Sequence, residues 1–450
     1  MNLEQIDKQR VWHPYTQMKD WMRSNNKVIV HGDGFYLVDS KGRRYLDGCA
    51  SMWCNVWGHS QKEIINPVIN QVKQIQHSTL FGLGNQPATE LAEMLIKISR
   101  KMDYVFYSDN GSTAIEIALK MALQYWRNKG NTKKKRFLSL KNGYHGDTAG
   151  AMSVGYVPNY FRSFKPMLRL STRISPPASC DIINSSASPN QDYFNNVEKV
   201  FSAISSECCA LVMESGAQIA GGVNIYPPGF QKTIAELCQK YDMLLILDEV
   251  ATGFGRLGNM VEYLAQESIP DIVCFGKALT GGFSPLAATL CNNDIFSSFL
   301  SEYSEGKQFY HGHTYTGHPV GCTAAIANIR LYSKHKLISR IRINSNYLRK
   351  RLKDLVESPI IGSIGHKGLL AAIQLVSKYG KKRAIENLNV HGNQIRMNYY
   401  LTQEALKMGV FIRGIGSTIV VIPPLAIGRN ELKLLLDVIC ELIGRIEHLS

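Results

Sequence analysis

No run of apolar residues in this 450-residue chain approaches the ~18 needed to cross a bilayer as a helix, so no membrane partner is expected. Met1 to Arg10 are polar throughout and lack the apolar core of an export signal. The ten cysteines are scattered without a C-x-x-C pair, and the one adjacent pair, Cys208-Cys209, lies in an apolar stretch. That excludes a disulfide framework or zinc ribbon as the organising principle and suits a reducing cytoplasm. Internal repeats and low-complexity segments are missing as well. Charged residues are a modest 19% against 45% hydrophobic, which places the chain among ordinary globular proteins rather than disordered or fibrous ones.

Acidic residues are the scarcer sign, 36 against 51 Lys and Arg. The excess is spread along the chain, and its one dense run, Lys129 to Arg136, falls between a predicted helix and strand and reads as a solvated loop. No nucleic-acid partner is expected; the positive balance suits small anionic ligands.

What is present is a change of rhythm along the chain. Between residues 27 and 47, Val28-Ile29-Val30, Phe35 to Val38 and Tyr45-Leu46 are separated by Gly-containing turns, which predicts a small antiparallel meander. From about 60 to 330, helical patterns alternate with short apolar runs at Arg136 to Leu140, Ala210 to Met213, Leu244 to Leu247 and Ile272 to Phe275. That alternation predicts an α/β fold, a mostly parallel sheet with helices on both faces. The last third predicts a helix at Ile338 to Val356, a strand at Leu369 to Val376 and a helix at Asn393 to Met408. Strands at Val410 to Arg413 and Thr418 to Ile422 and a helix at Asn430 to Ile446 complete a smaller α+β domain. The expected division is 1–60, an amino-terminal segment joining the small domain; 61–332, a large domain; and 333–450, the small domain. Ser171 to Asn196, rich in Ser, Pro and Asn, reads as a long loop.

Two of the apolar runs lead to charged groups. Leu244-Leu245-Ile246-Leu247 runs into Asp248, and Asp271-Ile272-Val273-Cys274-Phe275-Gly276 is followed by Lys277. Runs so short, flanked by helical pattern, read as buried parallel strands, and ligands of open α/β sheets sit outside the strands' carboxyl ends. Asp248 and Lys277 are therefore expected to face one crevice. Either alone reads better as a solvated loop charge. Together, a carboxylate that can keep a pyridine nitrogen protonated and an amine that can form a Schiff base are the minimum equipment for pyridoxal phosphate chemistry.

Neighbouring segments fit that pair. Ser108-Asp109-Asn110-Gly111-Ser112-Thr113 opens a helix with apolar positions Ile115, Ala118, Leu119, Ala122 and Trp126, so Gly111 and Ser112 can form an anion cup at its amino end. An ordinary N-cap is the plainer reading. Tyr144, in Gly143-Tyr144-His145-Gly146-Asp147, follows a predicted strand and can stack on a planar ring, or can serve as a buried structural tyrosine. His311, His313 and His318 lie in a Gly-rich loop without the helical spacing of metal ligands, so no metal is expected and Thr314 is the better candidate, as a phosphate donor.

The segments GSTAIEIALKMA, NGYHGDT, LLILDEVATGFGRLG, DIVCFGKALTGG and HGHTYTGHPVGC resemble, in order and spacing over nearly the whole chain, the class III pyridoxal-phosphate aminotransferases of the aspartate aminotransferase fold. Trp12 to Gln17, Ala50 to Trp53 and His77 to Leu80 resemble one branch of that class. The resemblance implies a cytoplasmic transferase. Lys277 would be the Schiff-base lysine, Asp248 the partner of the ring nitrogen, Tyr144 the ring's neighbour, and Gly111 and Ser112 phosphate donors. It further implies that His313 and Thr314 reach the phosphate bound by a neighbouring subunit, making a homodimer with shared active sites. Tyr15, Trp53, Asp147, Gly312 and Arg413 match substrate-contacting positions, Arg413 suiting a carboxylate through its two-pronged guanidinium. Glu214 is a candidate auxiliary partner.

The chain departs from the branch at two places. Relatives that take S-adenosylmethionine as amino donor carry two adjacent tryptophans where this chain has Met52-Trp53, and an aromatic where it has Val420; relatives that accept lysine are closer at both. Another ω-aminotransferase of the class is the alternative activity, and a DNA-binding regulator on the same fold is the alternative class, for which no added DNA-binding segment is evident.

Overall fold

The computed structural model describes residues 2–183, 189–378 and 383–449. Its centre is a seven-stranded sheet ordered Tyr104–Ser108, Ala287–Cys291, Ile272–Phe275, Leu244–Asp248, Cys208–Glu214, Arg136–Leu140, Thr172–Ile174. Six strands run parallel and only Ala287–Cys291 runs against its two neighbours. Leu244–Asp248 is buried at every residue, which is why it reads as a continuous apolar run rather than an alternating one. Each such side chain contributes about 1.5–3 kcal/mol by leaving water.

Gly111–Asn128 packs on this sheet, and Ile115, Ala118, Leu119, Ala122 and Trp126 are all buried. Ile117, Met121 and Tyr125 are buried too, so the helix is enclosed on more than the predicted stripe. The basic run after it is not wholly solvated. Lys134 is buried, its Nζ 3.9 Å from the centre of the Trp126 ring.

The amino-terminal meander forms as Ile29–Asp33, Tyr36–Asp39 and Arg44–Asp47, and its last strand pairs in parallel with Val410–Phe411, Val410 opposite Leu46. A second small sheet, ordered Ile361–Lys367, Leu370–Leu375, Thr418–Val421, Arg413–Ile415, is antiparallel throughout. Helices Leu337–Lys353 and Arg429–Leu449 lie in the same carboxy-terminal third.

Four local expectations are corrected. The helix predicted from Asn393 begins at Met397; Asn393–Arg396 is a strand paired with Asn387–Val390 around a left-handed Gly392. Ile361–Lys367, a strand, was not anticipated, because Gly362, Gly365 and His366 obscure its alternation. Val410 to Arg413 is two strands, not one, Val410–Phe411 and Arg413–Ile415 serving different sheets. The loop expected over 171–196 is shorter, since Thr172–Ile174 is the sheet's edge strand and Gln191–Ile204 is helical. Residues 184–188 of that loop lie outside the described residues.

Candidate active site

Five strands of the central sheet end at one edge, and the residues just past them line a cavity of about 750 Å³. Ser108 leads to Asp109, Gly111 and Ser112; Leu140 leads to Tyr144 and His145; Glu214 and Asp248 end their own strands; Phe275 leads to Lys277. In register, Asp248 lies beside Glu214 on one neighbouring strand and Cys274 on the other. The sheet thus brings together residues more than a hundred positions apart.

The anion cup is built by a capping box. Asn110 Oδ1 accepts from Thr113 N at 3.0 Å and Thr113 Oγ1 accepts from Asn110 N at 3.3 Å. This leaves the N–H groups of Gly111 and Ser112, which no intrahelical carbonyl can serve, at the cavity wall. Ser112 Oγ accepts from Thr148 N at 3.0 Å, which fixes the hydroxyl. A Cβ on Gly111 would lie 2.5 Å from Val250 Cγ1, and a Cβ on Gly146 would lie 2.4 Å from Ser112 Oγ, so only glycine fits at either wall.

Asp248 is nearly sealed from solvent and is held from two sides. Its Oδ1 accepts from Val250 N at 2.9 Å, and its Oδ2 is 2.8 Å from His145 Nδ1. The acceptor at Oδ2 requires the proton on Nδ1, so His145 donates. Its Nε2 is buried without a hydrogen-bond partner among the described residues. The sequence pattern alone assigns His145 no role. Its signal was only its place beside Tyr144.

Lys277 takes a left-handed backbone, φ 44°. Burial pushes its ammonium below the ordinary lysine range, opposed by Asp248, then Glu214, then Cys54. Burial likewise pushes Glu214 up to about 7, with His145 opposing and Asp248 reinforcing. The Glu214 carboxyl accepts from Tyr144 N at 3.2 Å and from Ile219 N at 3.0 Å, which ties the tyrosine loop to the sheet.

Trp53 stands on an unusual backbone. Ala50, Ser51, Met52 and Trp53 have φ of 48°, 44°, 66° and 74°, a complete left-handed turn without a glycine. L-residues pay about 1–2 kcal/mol each for that conformation. The turn lays the Trp53 ring 5.5 Å from Lys277 Nζ, within reach of a cation–π contact.

Tyr15 and Arg413 do not line this cavity. They line a second one of about 460 Å³. The two linings are linked through Asp147, whose Oδ1 accepts from Tyr15 OH at 2.7 Å and from Tyr144 OH at 3.0 Å. Burial, and next the Asp147 hydrogen bond, push the Tyr15 phenol well up. Among the described residues no acidic side chain pairs with Arg413. Val420 sits directly opposite Arg413 in the small sheet and packs in a cluster that Trp53 joins.

Gly312, His313 and Thr314 are not brought into either cavity of the same chain. His313 Nε2 lies 3.8 Å from Asp109 Oδ1, beside the anion cup, while Gly312 and Thr314 are exposed. Phe81, Tyr310 and Tyr315 near them are 64%, 76% and 58% exposed. Among the described residues no cluster of three or more His, Cys, Asp or Glu is placed to hold a metal, and no helix is long and apolar enough to cross a membrane.

Pyridoxal phosphate fits these residues: free N–H groups and a hydroxyl at a glycine-lined cup, an anchored carboxylate, and a buried amine on one cavity wall.

Comparisons with known proteins agree. A profile described as aminotransferase class-III matches residues 18–443. The chain is 40% identical to the adenosylmethionine-8-amino-7-oxononanoate aminotransferase of Geobacter sulfurreducens over 97% of this chain and 96% of that one. A crystal structure of the enzyme of that name from Methanocaldococcus jannaschii superposes with a TM-score of 0.91 at 39% identity, covering 99% of each chain. An omega transaminase from Pseudomonas jessenii, in complex with PMP, also superposes at 0.91, with 27% identity over 100% of this chain and 99% of that one.

Proposed function

The chain belongs to the class-III aminotransferases, enzymes that use pyridoxal phosphate, and we propose that it transfers an amino group to the keto carbon of 8-amino-7-oxononanoate. The product is 7,8-diaminononanoate, an intermediate of biotin synthesis, and the donor is S-adenosylmethionine or lysine. Relatives of that name at 40% identity over nearly their whole length support the acceptor. One structural observation carries the reading: Asp248 and Lys277, at the ends of adjacent parallel strands, wall one cavity with Gly111 and Ser112.

In this reading Gly111 and Ser112 would hold the phosphate, Asp248 would hold the proton on the ring nitrogen, and Tyr144 would be the ring's neighbour. The bound cofactor supplies an electron-accepting ring that stabilises negative charge on the substrate carbon. Lys277 does the proton work. Burial lowers its pKa from the ordinary lysine value, which favours the neutral amine that can take the proton from the donor's carbon and later return one to the acceptor's. Donor and acceptor use the same chamber in turn, the first leaving as a carbonyl compound before the second receives the nitrogen. Arg413 takes the acceptor's carboxylate; Trp53 and Asp147 contact substrate from the wall of the first cavity and Tyr15 from that of the second, where its hydroxyl bonds Asp147.

The exposed Phe81, Tyr310 and Tyr315 flank the loop that carries Gly312, His313 and Thr314, as expected where a second copy docks. The reading is a homodimer in which each copy's Thr314 serves the other's phosphate. It also divides the chain at about residues 60 and 332 and places it in the cytoplasm, where its ten free thiols stay reduced.

The test is purified holoenzyme given 8-amino-7-oxononanoate with S-adenosylmethionine or with lysine. Formation of the diamine with either donor is the expected result. No diamine with either, alongside turnover of simple ω-amines, would favour a general ω-aminotransferase.

A further inference from the structure

The left-handed turn Ala50–Trp53 has no glycine to make it easy, so something outside the turn must hold it. Asp47 does. It ends the strand Arg44–Asp47, and its side chain is fully buried. Oδ1 accepts from Ser51 N at 3.0 Å and Oδ2 accepts from Ser51 Oγ at 2.7 Å, so one carboxylate grips both polar groups of the second residue of the turn. His59 Nε2, 3.2 Å from Oδ2, holds the carboxylate from the other side. The backbone closes over the same point, with Trp53 N donating to Cys49 O at 2.9 Å and Cys54 N to Ala50 O at 3.0 Å.

Without the grip on Ser51, the strained residues would relax to ordinary φ values and Trp53 would swing with them. The ring's place against Lys277 therefore depends on a carboxylate that itself lines neither of the two cavities.

We propose that Asp47 is a positioning residue: acting through Ser51, it holds the turn that seats Trp53 against the Lys277 amine and so sets the wall of the amine chamber. This rests on the reading of Lys277 as the amine that moves the proton. Asp248 and Glu214, which also act on Lys277, make no contact with the grip, whereas Cys54, the third such group, lies on the turn itself with its thiol donating to Ser51 O at 3.1 Å.

The test uses holoenzyme with four substitutions. Ser51 is exposed, so its variants should fold even where Asp47→Asn does not. Ser51→Ala and Ser51→Gly both remove the hydroxyl, but glycine is at ease in the left-handed turn and alanine is not. Ser51→Asn tolerates that backbone and can still donate to Asp47. Expected for Ser51→Ala, Ser51→Gly and Asp47→Asn is a rise in amine-substrate KM of fivefold or more with kcat changed less. The pH midpoint of the bound cofactor's absorbance band should move upward, as water admitted past Trp53 favours the charged nitrogen at Lys277. Ser51→Asn should stay near the parent in both. Melting temperature separates the roles, since Ser51→Gly should match or exceed the parent in stability and still show the kinetic and spectral changes. Ser51→Gly with parental KM and parental midpoint overturns the proposal. A parent protein that shows no cofactor band and no amine turnover overturns the functional reading instead, and this proposal with it.

Discussion

His145 Nδ1 meets Asp248 Oδ2 at 2.8 Å across 103 residues of sequence, in a pocket where neither side chain has appreciable solvent. The imidazole on Oδ2 and the Val250 N–H on Oδ1 together fix the orientation of the carboxylate, and a charge-assisted bond of this kind is worth about 1.5–3 kcal/mol. His145→Ala should lower kcat/KM by roughly 10–100-fold, whereas His145→Asn, whose amide N–H can stand near Nδ1, should recover much of it. Steady-state kinetics of the two variants decide. Equal losses in both would mean the ring's bulk, not its N–H, is what matters.

Gly111→Ala tests the anion cup. The added methyl would meet Val250 Cγ1 at 2.5 Å, and valine cannot easily turn away because its χ1 is stiff. Overpacking of this kind costs about 1–3 kcal/mol, so the cofactor's dissociation constant should rise about 5–100-fold in absorbance titrations. Gly111→Ala combined with Val250→Ala should recover part of the loss, since the two residues touch and their effects are not additive.

Arg413 is expected to act on binding rather than on proton transfer. Arg413→Met should raise KM for the carboxylate-bearing acceptor about 10–100-fold and leave kcat within a few-fold; Arg413→Lys, keeping the charge but losing the fork, should fall between. A series of acceptors with and without the carboxylate provides the control. The difference between parent and variant should vanish for those without it.

Glu249 gives a pH prediction. Burial pushes this carboxyl up to about 8, against the hydrogen bonds it accepts from Glu262 N at 2.9 Å and Tyr263 N at 2.6 Å. A carboxyl whose folded pKa is raised holds its proton more tightly folded than unfolded. Its stabilisation is complete below the unfolded value of about 4.5 and is lost as pH rises through about 8. Glu214, raised to about 7, adds in the same sense. Glu249→Gln should be less stable than the parent in acid, by about 1–3 kcal/mol for the acceptor it loses. Its stability should nevertheless fall less between about pH 5 and 9. Denaturant titrations at several pH values measure both, and an unchanged slope would show that the carboxyl does not ionise over that range.

The strands that carry Asp248 and Lys277 were legible because a strand buried on both faces must be apolar at every position, and its end is marked by the first charge. The helix start at Gly111 was legible from Asn-Gly-Ser before an amphipathic stretch, while its reading as an anion cup rested on its place beside Asp248 and Lys277. The turn Ala50–Trp53 was not. Its left-handed backbone has no glycine or asparagine to announce it, and the carboxylate that holds it belongs to the preceding strand. His145 was equally silent, since its partner comes from a different strand of the sheet. The hairpin Asn387–Arg396 was read as helix in part because its strands carry little apolar alternation and its turn, His391-Gly392, sits where a helix could begin.

The lone reversed strand, Ala287–Cys291, has a consequence for how this enzyme can vary. It stands between the strand leading to Gly111 and the strand leading to Lys277, so those two strands are spaced by two steps of a hydrogen-bonded ladder, about 9–10 Å. Loops around the rim can lengthen, shorten or change partners without altering that interval. The ladder works as a ruler, and a ligand of different span would require a different sheet rather than a different loop.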